Sequence, residues 1–151
     1  GTGSRCNQAG LNQVSDTFQE MGVKNIITLS IARNQNHLDG FLSIVDQRVA
    51  VTYPYITPDI IHEELGKRGF EFVEIPSFEE KINFAANSVA LEPGRIIMPK
   101  GSPRTVELLQ KKGIELIELD LDEIKKGGGS VHCLTAFLKR DDIPVYEVED
   151  E

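Results

Sequence analysis

Four residues pair a reactive or charged side chain with a setting that could use it: Cys133, His37, Asp39 and Arg5. Cys133 follows Gly127-Gly128-Gly129-Ser130-Val131-His132. Successive glycines relax the backbone and let another group approach it closely, because no Cβ stands in the way. A thiol delivered by such a loop into an apolar run stands where a nucleophile can meet a substrate. A free thiol, with a pKa of about 8.5, is only slightly ionised at neutral pH. It therefore needs a base or a cationic ligand beside it before it attacks carbon. Read alone, the same stretch is also an ordinary glycine turn ahead of a small buried cysteine.

His37 and Asp39 supply complementary chemistry. A free imidazole titrates near roughly 6.5 and can trade protons at working pH. Asp39 stands two residues on, so an extended segment points both side chains the same way. A carboxylate there can bind a cation. The bland alternatives are a loop histidine and a turn aspartate before Gly40. Arg5 lies in Gly3-Ser4-Arg5-Cys6-Asn7 and is either a surface charge or an anion-binding group. His132 adjoins Cys133, so strand alternation sends it to the opposite side and makes it a weaker candidate than His37. His62, beside Glu63 and Glu64, reads as part of a solvated helix face, and Cys6 as a small packed residue.

The elements that must position these groups repeat. Leu11, Val14, Phe18 and Met21 have helical spacing over residues 8–21, closed by Gly22, and 23–31 reads as a strand. The polar stretch 33–36 is loop-like and leads into His37. A hairpin follows, with strands at 41–45 and 48–53. Thr57 caps a helix with Pro58 just inside it. Gly69 stops that helix, and 70–75 is a strand. The pattern then recurs: a hairpin of 87–91 and 95–98 around Glu92-Pro93-Gly94, a helix opened by Ser102 and Pro103, a stop at Gly113, and a strand at 114–119. Lys67-Arg68-Gly69-Phe70-Glu71 aligns with Lys111-Lys112-Gly113-Ile114-Glu115, so the chain holds an internal repeat with a period in the mid-forties. A last hairpin is expected from 131–138 and 143–148. Element ends on one face of such a ring of units converge on its axis despite their separation in sequence.

Composition narrows the function. The chain has 151 residues, one domain's worth, with 40% hydrophobic and 26% charged residues. Its formal net charge of -8 argues against nucleic acid and against an anionic membrane as partners. No apolar run approaches the roughly 18 residues that cross a bilayer. Two widely separated cysteines are neither a disulfide framework nor a paired zinc site, and they suit a reducing cytoplasm. The final acidic residues, Glu147, Glu149, Asp150 and Glu151, read as a solvated tail.

Taken together, these stretches resemble the guanidino-group-modifying enzymes: arginine deiminase, agmatine deiminase, dimethylarginine dimethylaminohydrolase and glycine amidinotransferase. Gly127-Gly128-Gly129-Ser130-Val131-His132-Cys133-Leu134-Thr135 resembles their C-terminal cysteine motif, and His37-Leu38-Asp39 their His-x-Asp motif. Gly3-Ser4-Arg5-Cys6-Asn7 is similar to a Ser-Arg-Thr-Asn segment, and Ala85-Ala86-Asn87-Ser88-Val89 to an Asn-bearing strand. The resemblance implies an α/β fold of repeated ββαβ units, a pseudo-fivefold propeller of the pentein type. Residues 1–151 would form a single domain of about three of the five units, incomplete at the N-terminus. It further implies that Cys133 attacks a guanidinium carbon, His37 is the general acid/base, Asp39 seats the guanidinium nitrogens, Arg5 binds a substrate carboxylate, and Gly129 with its neighbours lets backbone line the pocket. The implied ligand is a small guanidine such as arginine, with no metal or organic cofactor. The outcome would be hydrolysis, or amidino transfer if an amine replaces water; an inactive binding or assembly fragment is the non-enzymatic alternative. The family's acidic Glu-Gly-Gly-Asp motif has no counterpart here. The chain is therefore expected to be the C-terminal part of a longer protein, self-associating or completed by an N-terminal companion segment. Asp39 favours deiminases and amidinotransferases over dimethylarginine hydrolases.

Overall fold

The computed structural model of the chain describes residues 1–32 and 35–139. The expected turn at Arg140-Asp141-Asp142, the strand at 143–148, the acidic tail, and Arg33 and Asn34 of the polar loop lie outside the described residues. The chain opens with helix α1 (Gln8–Glu20), whose Asn7 side chain accepts the Gly10 N–H. Two strand-helix units follow. The first runs β1 (Leu42–Asp46), β2 (Val49–Thr52), α2 (Asp59–Gly66) and β3 (Glu71–Glu74). A single helical turn, α3 (Phe78–Ile82), links it to β4 (Val89–Glu92), β5 (Arg95–Pro99), α4 (Pro103–Lys111) and β6 (Glu115–Leu119). A short α5 (Asp122–Lys125) precedes the glycine run.

The two units are built alike, as the repeat requires. In each, the first two strands pair antiparallel and the third returns parallel to the second. Each hairpin carries its register shift at the same place, between Ile44 and Asp46 in one and between Ala90 and Glu92 in the other. Each helix ends on a glycine in the left-handed region, Gly69 (φ +73) and Gly113 (φ +79). Phe70 then donates its N–H back to Leu65, and Ile114 to Leu109, so the chain reverses into a strand within one turn.

The units share one core. Phe41, Val45, Val51, Val73 and Ile75 of the first join Ile96, Met98, Leu109 and Ile114 of the second in a single cluster. Where β1 approaches β4, the Ser43 and Ser88 hydroxyls lie 2.8 Å apart, and Gly94 donates its N–H to the Val45 carbonyl at 3.0 Å. Among the described residues no helix is long and apolar enough to cross a membrane.

Several local expectations are corrected. Residues 23–31 form no ladder; only Ser30 bridges, in parallel, to Thr2. A strand exists through its ladder, and this segment has a bridge to one residue among those described. The apolar side of α1 is present but largely uncovered, with Val14, Phe18 and Met21 exposed. Residues 131–138 are not a strand: Val131 leads into a tight turn at His132–Leu134, and Leu134, Phe137 and Leu138 stand exposed. His62 is half-buried against the Phe72 ring, 4.7 Å between centroids, rather than solvated.

Neither expected hydroxyl caps its helix. Thr57 is buried and donates to the Tyr53 carbonyl at 2.9 Å, so α2 begins after Pro58 without a side-chain cap. At α4 the cap comes from elsewhere in the chain. Glu80, 4% exposed, accepts from the Arg104 N–H at 3.1 Å, the Thr105 N–H at 2.9 Å and the Thr105 hydroxyl at 2.6 Å. Ser102 instead donates to the Glu80 carbonyl. The first N–H groups of a helix lack internal partners and carry partial positive charge, which a carboxylate complements. Glu80→Ala leaves these donors buried and unpaired. It should lower the unfolding free energy by about 1.5–3 kcal/mol, read from urea denaturation midpoints, with Glu80→Gln intermediate.

Candidate active site

The His37-Leu38-Asp39-Gly40 stretch is a turn, Leu38–Gly40, ending on the fully buried Phe41. The Phe41 N–H closes the turn on Leu38 at 2.9 Å, and its carbonyl accepts from the Tyr53 N–H at 3.0 Å. An apolar residue with no route to solvent thus anchors a polar loop, and the loop projects Asp39 toward the start of β4. The glycine run arrives from the other side. Ser130 and Val131 are buried, and the tight turn that follows lifts His132 and Cys133 toward Asp39.

The two turns, far apart in sequence, meet on one carboxylate. Asp39 Oδ2 lies 3.0 Å from His132 Nδ1 and 3.7 Å from Cys133 Sγ. Its other oxygen lies 3.9 Å from His37 Nδ1. Asn87, 1% exposed, fills the space beneath. Its Nδ2 donates toward Asp39 Oδ2 at 3.1 Å and Cys133 Sγ at 3.3 Å, and its Oδ1 accepts the His132 N–H at 3.0 Å. Cys133 is a free, exposed thiol, and the His37 side chain is 69% exposed. The site is therefore open to a ligand on one side and tied together on the other.

Of the residues singled out from sequence, Cys133, Asp39 and His37 stand together, and Gly129 is part of the same structure. A Cβ on Gly129 would come within 3.2 Å of Cys133 Cβ and 3.5 Å of Sγ, so the glycine is what lets the loop fold back onto the thiol. Arg5 is exposed and shares no hydrogen bond or ion pair with the cluster among the described residues. Its segment does border the site, because Ser4 donates to Asn36 at 3.1 Å.

Two members of the cluster were not assigned a place in it from sequence. Strand alternation would turn His132 away from Cys133; in a turn, neighbouring side chains need not oppose one another, and both reach Asp39. The three glycines before it were the available signal, since such a run ends in a turn more readily than in a ladder. Asn87 was visible as a polar residue inside Ala85-Ala86-Asn87-Ser88-Val89. A buried carboxamide in an apolar run must find partners, and here they are the site itself.

Comparison with known proteins gives the family. A family model for arginine deiminase matches residues 57–140, more than half of the chain. The chain belongs to the arginine deiminase family, and with it to the guanidino-group-modifying superfamily. It is 29% identical over 141 residues to YkgA, an uncharacterized protein of Bacillus subtilis strain 168, covering 93% of this chain and 47% of that one. Against arginine deiminase of Streptococcus agalactiae serotype V it is 25% identical over 157 residues, covering 83% of this chain and 38% of the enzyme. Among solved structures it is similar to a dimethylarginine dimethylaminohydrolase of Pseudomonas aeruginosa, a cysteine-to-serine mutant in complex with citrulline. That match has a TM-score of 0.63 and 25% identity, over 82% of this chain and 45% of that one. An amidinotransferase of Microseira wollei has the same fold at a TM-score of 0.75 and 16% identity, over 95% of this chain and 45% of that one. The chain thus spans about half, or less, of the length of these relatives.

The Gly129 contact gives a direct test. Gly129→Ala requires no forbidden backbone angle, yet its methyl group must push the Cys133 side chain by a few tenths of an ångström. The variant should fold with a near-unchanged melting temperature and alkylate at Cys133 with iodoacetamide about ten-fold more slowly, by peptide mass spectrometry, since reactive geometry is sensitive to displacements of that order.

Proposed function

We propose that this chain carries the nucleophile-bearing part of a guanidine hydrolase of the arginine deiminase type, with Cys133, His37 and Asp39 as its reacting groups. We also infer that its repeated units belong to a pseudo-fivefold α/β propeller, of which it supplies about three. The observation that carries the functional reading is one carboxylate between two groups: Asp39 has Cys133 Sγ 3.7 Å from one oxygen and His37 Nδ1 3.9 Å from the other.

The chemistry follows from charge. A guanidinium is permanently cationic and planar, and it presents paired N–H donors that suit a carboxylate. Asp39 seats those donors and holds the central carbon beside Cys133. The ligand's positive charge in turn favours the thiolate next to it. The thiolate attacks the carbon, a tetrahedral adduct forms, and His37 gives a proton to the departing amine. This leaves a Cys133 thiouronium. His37 then takes a proton from water as it attacks the same carbon, and expulsion of the thiolate yields a urea derivative. Arg5, on the segment bordering His37, pairs with a carboxylate at the far end of the substrate. The glycines around Gly129 admit the substrate to the backbone beside Cys133. A reducing cytoplasm suits a free thiol in this role.

The cationic seat can be tested without knowing the substrate. Chloroacetamidine and chloroacetamide carry the same leaving group and differ in charge. The amidine should label Cys133 at least about ten-fold faster than the neutral amide, and Asp39→Asn should remove most of the difference. Equal rates, or preferential labelling of Cys6, would rule out the seat. If a longer form carrying the remaining units turns over arginine only when an amine is added, the enzyme is a transferase rather than a hydrolase.

The two histidines should separate kinetically. His37→Ala should lower kcat by about 10²–10⁴, the usual contribution of a general acid/base. His132→Ala removes a competitor for Asp39 and should act mainly on KM, with kcat kept within about ten-fold. The reverse pattern would assign proton transfer to His132.

A further inference from the structure

Asn87 has no role in the chemistry above, yet it is the most enclosed polar side chain in contact with it. Its carboxamide has two N–H bonds and one acceptor oxygen facing the cluster, and all are engaged. Nδ2 lies 3.3 Å from Cys133 Sγ, 3.1 Å from Asp39 Oδ2 and 3.4 Å from the Asp39 carbonyl, while Oδ1 takes the His132 N–H at 3.0 Å. The two N–H bonds are thus divided among the Cys133 sulfur and two oxygens of Asp39, one side-chain and one backbone.

The backbone that delivers Asn87 is itself unusual. Phe84 has φ 64, the one non-glycine residue among those described with positive φ. For an L-residue with a bulky side chain that conformation costs about 1–2 kcal/mol, and it persists only where its surroundings impose it. The Phe84 carbonyl accepts the Asn87 N–H at 2.8 Å, so the strained residue and the carboxamide belong to one tight loop at the head of β4.

We propose that Asn87 is a positioning residue for the nucleophile: its carboxamide sets the Cys133 sulfur against Asp39 and donates a hydrogen bond to the thiolate. This deepens the functional reading above and rests on Cys133 being the nucleophile. Three ionisable groups also face the sulfur or its carboxylate neighbour, namely Asp39, His132 and His37, and none of them can replace an uncharged donor whose position does not change with protonation. A neutral N–H stabilises the thiolate and remains in place when a cationic ligand binds.

The test uses alkylation of the 151-residue chain by iodoacetamide at fixed pH, with Cys6 in the same sample as internal reference. Asn87→Asp keeps the shape and the acceptor for the His132 N–H but removes the donor to sulfur. Asn87→Leu removes both. Each should lower the Cys133-to-Cys6 rate ratio about ten-fold, which is the loss expected for one hydrogen bond to a charged group. A packing role alone would lower the melting temperature and leave the ratio within two-fold in the folded variants; that result would overturn the proposal. A second arm needs no variant. In the wild-type chain the Asn87 side-chain amide protons should shift in NMR when Cys133 is alkylated, and an unmoved signal would overturn the proposal even if both variants fail to fold. The outcome is separable from the functional reading. A chain that turns over no guanidine but shows both effects would retain Asn87 as the residue that positions this thiol while removing the proposed activity.

Discussion

A buried carboxamide must have its donors and acceptor met inside the protein. At Asn87 that requirement ties together the two turns that carry the candidate chemistry. Neither turn is held by a ladder. One is anchored by Phe41, the other follows a glycine run, and each can be placed in many ways by its own residues. The Asn87 side chain selects one placement, because its two donors and one acceptor are all used only when Asp39, Cys133 and His132 stand where they do. The remainder of the fold supplies a rigid base for this contact. Phe84, with its positive φ, accepts the Asn87 N–H in the loop that delivers the carboxamide.

The repeat explains how such a base arises. Each unit pairs two strands locally and returns the third after a helix, so the sheets form from contacts of modest sequence separation. The units then join through β1 and β4, where Ser43 meets Ser88 and Gly94 meets Val45. Asp39 lies just before β1 and Asn87 just before β4. Each stands at the entry to the first strand of its unit, and the join that buries the shared core also brings their side chains together. A repeated architecture thus gives one polar cluster without any long loop having to reach across the molecule.

Legibility followed the range of the interaction. The hairpins, helices and glycine stops of both units were readable because their signals lie within a few residues of one another: alternation, a proline after a polar residue, a glycine at the helix end. Where a partner was distant, local reading failed. Residues 23–31 have the bulk of a strand but, among the described residues, bridge only to Thr2. Ser102 has the identity of a cap, yet Glu80 takes the N–H groups because a buried carboxylate is the stronger acceptor. Alternation misplaces His132, because the backbone at 132–134 makes a turn and not a strand. In the candidate site, Cys133, His37, Asp39 and Gly129 were identifiable by type and motif, whereas the part taken by Asn87 and the contact between His132 and Asp39 were not.

By itself the sequence determined the periodic units, the stops between them and the reactive groups, since side-chain chemistry and local backbone preference are properties of neighbouring residues. The tertiary structure alone decided which of those groups share a carboxylate, which histidine lies on which oxygen, and which uncharged side chain holds the sulfur. Those outcomes depend on distances between residues far apart in the chain, and such distances exist only once the two units have packed against each other and excluded water from between them.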